Sequence, residues 1–310
     1  MKAKMSMNPI FESAARRRMR TAKTPVIVTA YLASLLASAL SQLTRFFGEG
    51  VRVAAMRQGV ECYIWMTALQ FLLIALVAPA LSAGSIAGER ERQTFDLLLV
   101  TGVGVRRIVL GKLLESFSFL ALLILSGAPV LALVLVTGGV SALGVATTLA
   151  ALLLIALAAL AVGRVASTVF SRSLTAIIAS YLAIFLIGAG TWALAKRGPL
   201  AAAYTYQSLQ ALAQRPDAAL LSLPVTIFFN PAIALVTLLA SQTGILHRTM
   251  RETLRLQDIY SAFTIAGYGR FALTALTAIA LTALALIALA IAILHARTGA
   301  ARASRGANKD

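Results

Sequence analysis

Six apolar runs, at about Val26–Leu43, Ile64–Ala87, Leu113–Val136, Leu143–Val162, Leu174–Ala195 and Phe271–Leu294, constrain this chain more than any motif in it. Each is near the ~20 residues that an α-helix needs to cross a bilayer. None carries an ionisable side chain across its middle. They predict an all-α integral membrane protein with six transmembrane helices. Composition agrees: 13% of the residues are charged, 59% are hydrophobic and the mean hydropathy is +0.86, whereas an ordinary soluble domain holds roughly 25% charged residues. The net charge of +17 does not indicate nucleic acid, because the Lys and Arg residues lie beside apolar runs, where they face anionic lipid and fix orientation. Cys62 is the single cysteine, which excludes an intrachain disulfide and a cysteine-based metal site. The two histidines, His247 and His295, are far apart in sequence, which argues against a histidine-rich metal centre.

With both termini inside, the inner segments hold 18 Lys and Arg residues and the outer segments 10, most of the latter in one long loop where charge has little influence on topology. Both termini are therefore expected in the cytoplasm, and the chain in the cell (inner) membrane as a multi-pass protein. Residues 1–24 read as an amphipathic interfacial helix: Asn8-Pro9 suits a helix start, and Phe11, Ala15, Met19 and Ala22 share one side. Residues 25–295 form the polytopic domain, with a cytoplasmic segment at 88–112 and an external loop at 196–270, and 296–310 is a basic cytoplasmic tail, disordered from Gly299 onward. In the loop, Leu221–Leu246 is apolar but broken by Pro224 and Asn230-Pro231, which predicts a short re-entrant or outer-surface helix capped by Asn230. Pro79 and Pro129 are expected to kink their spans. Gly84 and Gly88 would permit close helix contact, and Lys112 is placed to pair with Glu115.

The segment Gly88–Lys112 concentrates Glu89, Arg90, Glu91, Arg92, Asp96, Arg106, Arg107 and Lys112 in a charge-poor chain, and charge of that density belongs in water. Its middle, Phe95–Val100, is apolar but too short to span, and reads as a helix lying flat on the membrane. Glu89, Arg90, Glu91, Thr94, Asp96, Leu97 and Leu98, followed by Gly111, Lys112, Leu113 and Leu114 at the next span, resemble the permease subunits of the type-2 ATP-binding-cassette (ABC) exporter family. That resemblance implies a translocation path formed with a second permease subunit, identical or related, and a separate cytoplasmic ATPase that binds ATP and Mg. It also implies a coupling helix built from Glu89, Arg90, Glu91, Arg92, Thr94 and Asp96, with Leu97 and Leu98 as its apolar face. Two departures from the family pattern stand out: Gln93 where Gly is common, and Gly102-Val103-Gly104 where a Pro-containing turn is common.

No energy source is visible in the chain itself. Gly104–Lys112 has the wrong glycine spacing for a phosphate-binding loop and Leu113 where Ser or Thr is needed. The chain is thus expected to be no enzyme and to hold no cofactor of its own. A proton- or sodium-driven carrier usually needs a titratable group at mid-depth, which the runs lack, so an energy-independent channel, a carrier or a membrane anchor for a cytoplasmic partner stand as alternatives. On the family layout, the path follows the second and fifth spans. Its candidate lining is Tyr63, Trp65, Met66, Thr67, Gln70 and Phe71 on one and Tyr181 and Phe185 on the other, a surface suited to a lipid-like or amphipathic substrate.

Overall fold

The computed structural model describes residues 29–37, 40, 52–95, 104–137, 140–191, 228–243 and 265–307. The expected interfacial helix, Asp96, Leu97, Leu98 and most of the external loop lie outside these residues. After a helical stretch at 29–37 come α1 (Arg52–Glu91), α2 (Val105–Ser126), α3 (Ala128–Thr137), α4 (Ala142–Val169), α5 (Ser173–Phe185), a π-helical turn (Leu186–Gly190), α6 (Pro231–Thr243) and α7 (Ile265–Ala307). Five helical units among the described residues are long and apolar enough to cross a membrane: Gly59–Glu91, Val105–Ala132, Ala142–Val169, Ser173–Gly190 and Gly269–Gly299. The protein is an all-α integral membrane protein. Large side chains such as Leu72, Leu122, Ile178 and Leu281 remain exposed along these helices, as a lipid-facing surface requires.

Helix α4 is the axle of the bundle, packed on α1 and α7 along much of its length. The α1–α4 approach is close because Gly163 faces Ser82: a Cβ added there would lie 1.8 Å from the Ser82 hydroxyl and 3.0 Å from its Cβ. Absence of a side chain at a crossing is what lets membrane helices gain van der Waals contact where the hydrophobic effect offers nothing. Gly84 and Gly88 of α1 meet α5 at ordinary contact distance, near Ile177 and Ser173. The helical assignment of α1 passes through Pro79. The interruption expected at Pro129 falls two residues earlier, at Gly127, which separates α2 from α3. There Gln70, Tyr31 and Leu35 crowd the backbone, with the nearest atom 2.4 Å from an added Cβ.

Asn230 caps α6 as expected, its Oδ1 accepting from the N–H groups of Ala232 at 3.0 Å and Ile233 at 3.2 Å. Its Nδ2 donates to the carbonyl of Gly188 at 3.0 Å and to Thr191 Oγ1 at 2.8 Å. Carbonyls loosened by the π-turn are thus taken up by side chains, the usual requirement for irregular backbone inside a membrane. Pro231 shares a cavity with Ile155, while Gln242 reaches Tyr63 and Thr147. Helix α6 therefore climbs from mid-bundle to the end of the bundle where α4 begins. Its 13 residues rise about 20 Å, less than a hydrocarbon core.

Two expectations are revised. Helix α7 continues to Ala307, so the basic stretch from Gly299 to Ala307 extends the last span where disorder was expected; Ala and Arg are strong helix formers. The fourth run, expected to end at Val162, continues as helix α4 to Val169, so that Arg164 lies inside it and is fully buried.

Candidate coupling site

At one end of the bundle the charged segment is folded into the protein instead of lying on it. Gly88–Glu91 form the last turn of α1, while the flat helix expected at Phe95–Val100 lies, apart from Phe95, outside the described residues. That helix closes with the Thr94 N–H donating to the Glu89 carbonyl and the Gln93 N–H to the Arg90 carbonyl, each at 3.0 Å. This is the Schellman arrangement, whose C′ residue adopts left-handed backbone and is usually Gly. Here Gln93 occupies it with φ 58°, the same position at which the sequence departs from the family pattern.

The charges inside are held by one ion pair and by carbonyls and hydroxyls. Lys112 of α2 is buried, and its ammonium donates to Glu89 Oε1 at 2.5 Å and to the Ser85 carbonyl at 2.9 Å. The strongest ion pair at Lys112 thus crosses between helices to Glu89, with Glu115 on α2 a weaker electrostatic partner, and the segment is not solvated throughout as its charge suggested. Arg164 donates to Ser85 Oγ, to the Lys112 carbonyl at 2.9 Å and to Ser116 Oγ at 3.4 Å. Ser167 accepts from the N–H groups of Ile86 and Ala87. Buried cations are tolerable in such a setting only when carbonyls, hydroxyls and a counter-ion replace their water.

Around this centre, Arg90 donates to the Thr168 carbonyl at 2.9 Å and stacks over Phe95, whose ring centroid lies 5.3 Å away. Glu91 Oε2 accepts from the backbone N–H of Ser173 at 3.0 Å and from its hydroxyl at 2.6 Å, placing a carboxylate on the N-terminus of α5. Such a carboxylate answers both the unpaired N–H groups and the positive end of the helix dipole. Glu91 is exposed, and its contacts with Ser173 position the carboxylate on α5. Phe95 is buried with Ile86, Val109, Ala290 and Leu294, which brings in α7. Arg92 and Thr94 are exposed. The site is a joint: α1, α2, α4, α5 and α7 meet there.

The candidate lining residues fall on two different cavities. Thr67 and Gln70 are buried. Gln70 lines a space of about 340 Å³ with Tyr31, Ser34, Leu120 and Ile124. The Thr67 hydroxyl and the Gln70 amide have no hydrogen-bond partner among the described residues. Phe71 instead lines an apolar cavity of about 370 Å³ with Ile155, Val162, Ile187, Pro231 and Leu286. Tyr181 of α5 donates to the Leu76 carbonyl of α1, and Phe185 and Trp65 are 66% and 64% exposed. Met66 is buried. The chain therefore does not bring Thr67 and Gln70 together with Tyr181 and Phe185. One helical residue turns the chain by about 100°, enough to send Gln70 and Phe71 to different cavities.

Sequence reasoning missed the buried polar residues that build the joint, Ser85, Ser116, Arg164 and Ser167. It also missed a second cluster at the far end, where the Tyr63 hydroxyl donates to Thr148 Oγ1 at 2.7 Å and Gln242 Oε1 lies 3.0 Å away, with Gln242 Nε2 donating to Thr147 at 2.9 Å. The available signal was the continuation of small residues through Gly163, Ala166 and Ser167, which extends the α4 pattern past Arg164.

A comparison with curated proteins finds no match. The model of the family described as ABC-2 family transporter protein matches residues 10–299, nearly the whole chain and all the helices that build the joint, and the chain belongs to that family as a permease subunit of an ABC transporter.

Proposed function

We propose that this permease works as an exporter, paired with a second permease subunit, identical or related, and driven by a separate cytoplasmic ATPase that binds ATP and Mg. Both termini lie in the cytoplasm of this reading, and the joint around Glu89 is the face the ATPase pushes. The observation that supports it most is the Schellman turn: exposed Arg92 and Thr94 sit directly on an interlocked core of Glu89, Lys112 and Arg164. A coupling device needs both parts, polar groups free to meet a moving partner and a rigid body behind them. Arg92 and Thr94 then meet the ATPase, with Asp96, Leu97 and Leu98 completing the contact. Glu89, Arg90 and Glu91 act one step inward, by tying the turn to α2, α4 and α5.

The path runs between the two permeases along α1 and α5. Supporting this, Leu174, Ile178, Leu182 and Phe185 form an apolar stripe on α5 that is 55 to 71% exposed in the single chain. Trp65 on α1 adds an exposed aromatic. Lined by such residues, the path suits an amphipathic or lipid-like substrate. Thr67 and Gln70 line it only if the cavity beside Tyr31 opens during the cycle.

The experiment is co-purification of the permease with its ATPase, followed by ATP hydrolysis assays. Arg92→Glu is expected to lose the ATPase while the permease stays folded. Retention of the ATPase by Arg92→Glu, with hydrolysis unchanged by candidate substrates, would instead identify a membrane anchor. Movement of solute by the purified chain with no ATP consumed would establish a channel or carrier.

A further inference from the structure

On the flank of the bundle, between α2 and α7, lies a groove of about 740 Å³ that the coupling joint does not use. Arg106 and Arg107, in the first turn of α2, and His295 of α7 line one end of it. Leu110, Ala292 and Ile291 line the remainder. Both arginines, Leu110, Ala292 and His295 are exposed, whereas Ile108, Val109 and Lys112 on the other side of α2 are buried in the protein. The groove therefore opens away from the bundle. In a membrane-spanning chain that direction is the lipid.

Its chemistry is graded along its length. From His295 back to Ala288, also in the lining, α7 rises about 10 Å and presents no polar side chain to the groove. Cations gather at the level of the head groups, and an apolar channel continues toward the membrane interior. A soluble anion would leave the channel unfilled. An anionic head group suits the positive charge that Arg106 and Arg107 bring to this end of the groove. Basic pockets between spans on the cytoplasmic side are where anionic head groups bind.

We propose that this groove is a binding site for an anionic phospholipid of the inner leaflet. Its phosphate is held by Arg106, Arg107 and His295, and an acyl chain lies along Leu110, Ile291 and Ala292. The site adjoins the coupling joint through Ile291; its place in the inner leaflet rests on the cytoplasmic orientation proposed above, and not on the direction of transport.

The full chain is reconstituted in nanodiscs of phosphatidylcholine with a minority of phosphatidylglycerol, extracted into neutral detergent, and its retained lipids are counted by native mass spectrometry. Wild type is expected to retain phosphatidylglycerol preferentially. Arg106→Gln with Arg107→Gln is expected to cut that preference about thirty-fold, from roughly 1 kcal/mol for each arginine at the membrane surface. Arg106→Lys with Arg107→Lys should keep much of it. Ile291→Trp, which fills the channel without touching charge, should lower retention as well. Lys2→Gln with Lys4→Gln removes equal charge elsewhere and should leave the preference intact. An unchanged ratio in the double Gln variant, or an equal fall in the Lys2 and Lys4 variant, would overturn the site. So would loss of a captured ATPase with lipid retention intact, because the groove would then belong to a protein partner.

Discussion

Glu89→Gln tests whether the charged segment is structural in its own right. The substitution keeps the shape of the side chain but removes the counter-ion of Lys112, whose side chain is 11% exposed against 33% for Glu89. Breaking a fully buried pair by removing one partner costs about 3–5 kcal/mol, while an exposed pair is worth about 0.2–1 kcal/mol. With one partner buried and the other a third exposed, the expected loss is about 1–2 kcal/mol, part of it recovered because the Ser85 carbonyl still accepts from the ammonium. Lys112→Met removes the charge that would be stranded, so adding it to Glu89→Gln should cost less than the sum of the single variants. The assay is reversible unfolding of the purified permease in mixed micelles by SDS, followed by tryptophan fluorescence, as a double-mutant cycle. A coupling of about 1 kcal/mol is expected. Additive single effects, or a Glu89→Gln midpoint equal to wild type, would show that the pair contributes nothing and that Glu89 serves only an external partner.

Gly163→Ala should destabilise the α1–α4 crossing by about 1–3 kcal/mol, the usual range for overpacking, because its Cβ would sit 1.8 Å from Ser82 Oγ; Ser82→Gly in the same chain should restore most of the loss in the same SDS titration. Gln93→Gly should raise stability by about 1 kcal/mol by relieving left-handed backbone at a residue with a Cβ, and an unchanged midpoint would mean that the Gln93 side chain earns its place by another contact. Tyr63→Phe should cost about 1 kcal/mol through the lost bond to Thr148, with amide exchange rising locally at α6; exchange confined to other helices would refute the link between them.

The membrane class, the helical spans and the Asn230 cap were legible in the sequence because each rests on a local signal: run length, absence of mid-span charge, or a capping residue before Pro. The joint was not. Glu89 and Lys112 are 23 positions apart, and Arg164 meets Ser85 across 79, so no window of sequence displays their pairing. Counting charge along the sequence assumes that charge seeks water. Here carbonyls of Ser85 and Lys112 and hydroxyls of Ser85 and Ser116 substitute for it. Likewise Thr67, Gln70 and Phe71 read as one lining face, yet helical rotation divides them between an amide-bearing cavity and an apolar one.

These features together restrict how the proposed coupling motion can travel. At the joint end, polar contacts tie α1 to α2, α4 and α5, and Phe95 adds α7, so sliding α1, α2 or α4 there would strand a buried charge. Movement at that end must be of the group as a body. The deformable places lie farther along: the Gly127 break between α2 and α3, and the π-turn at Leu186–Gly190 where Asn230 and Thr191 hold displaced carbonyls. Exchanging one set of hydrogen bonds for another at such a turn costs far less than exposing Lys112 or Arg164 to hydrocarbon. The apolar cavity beside Phe71 is bounded by this same π-turn, through Ile187, and by Pro231 of α6. A rigid rotation delivered at Glu89 would thus be absorbed where α5 and α6 meet, and the cavity volume is the quantity that changes.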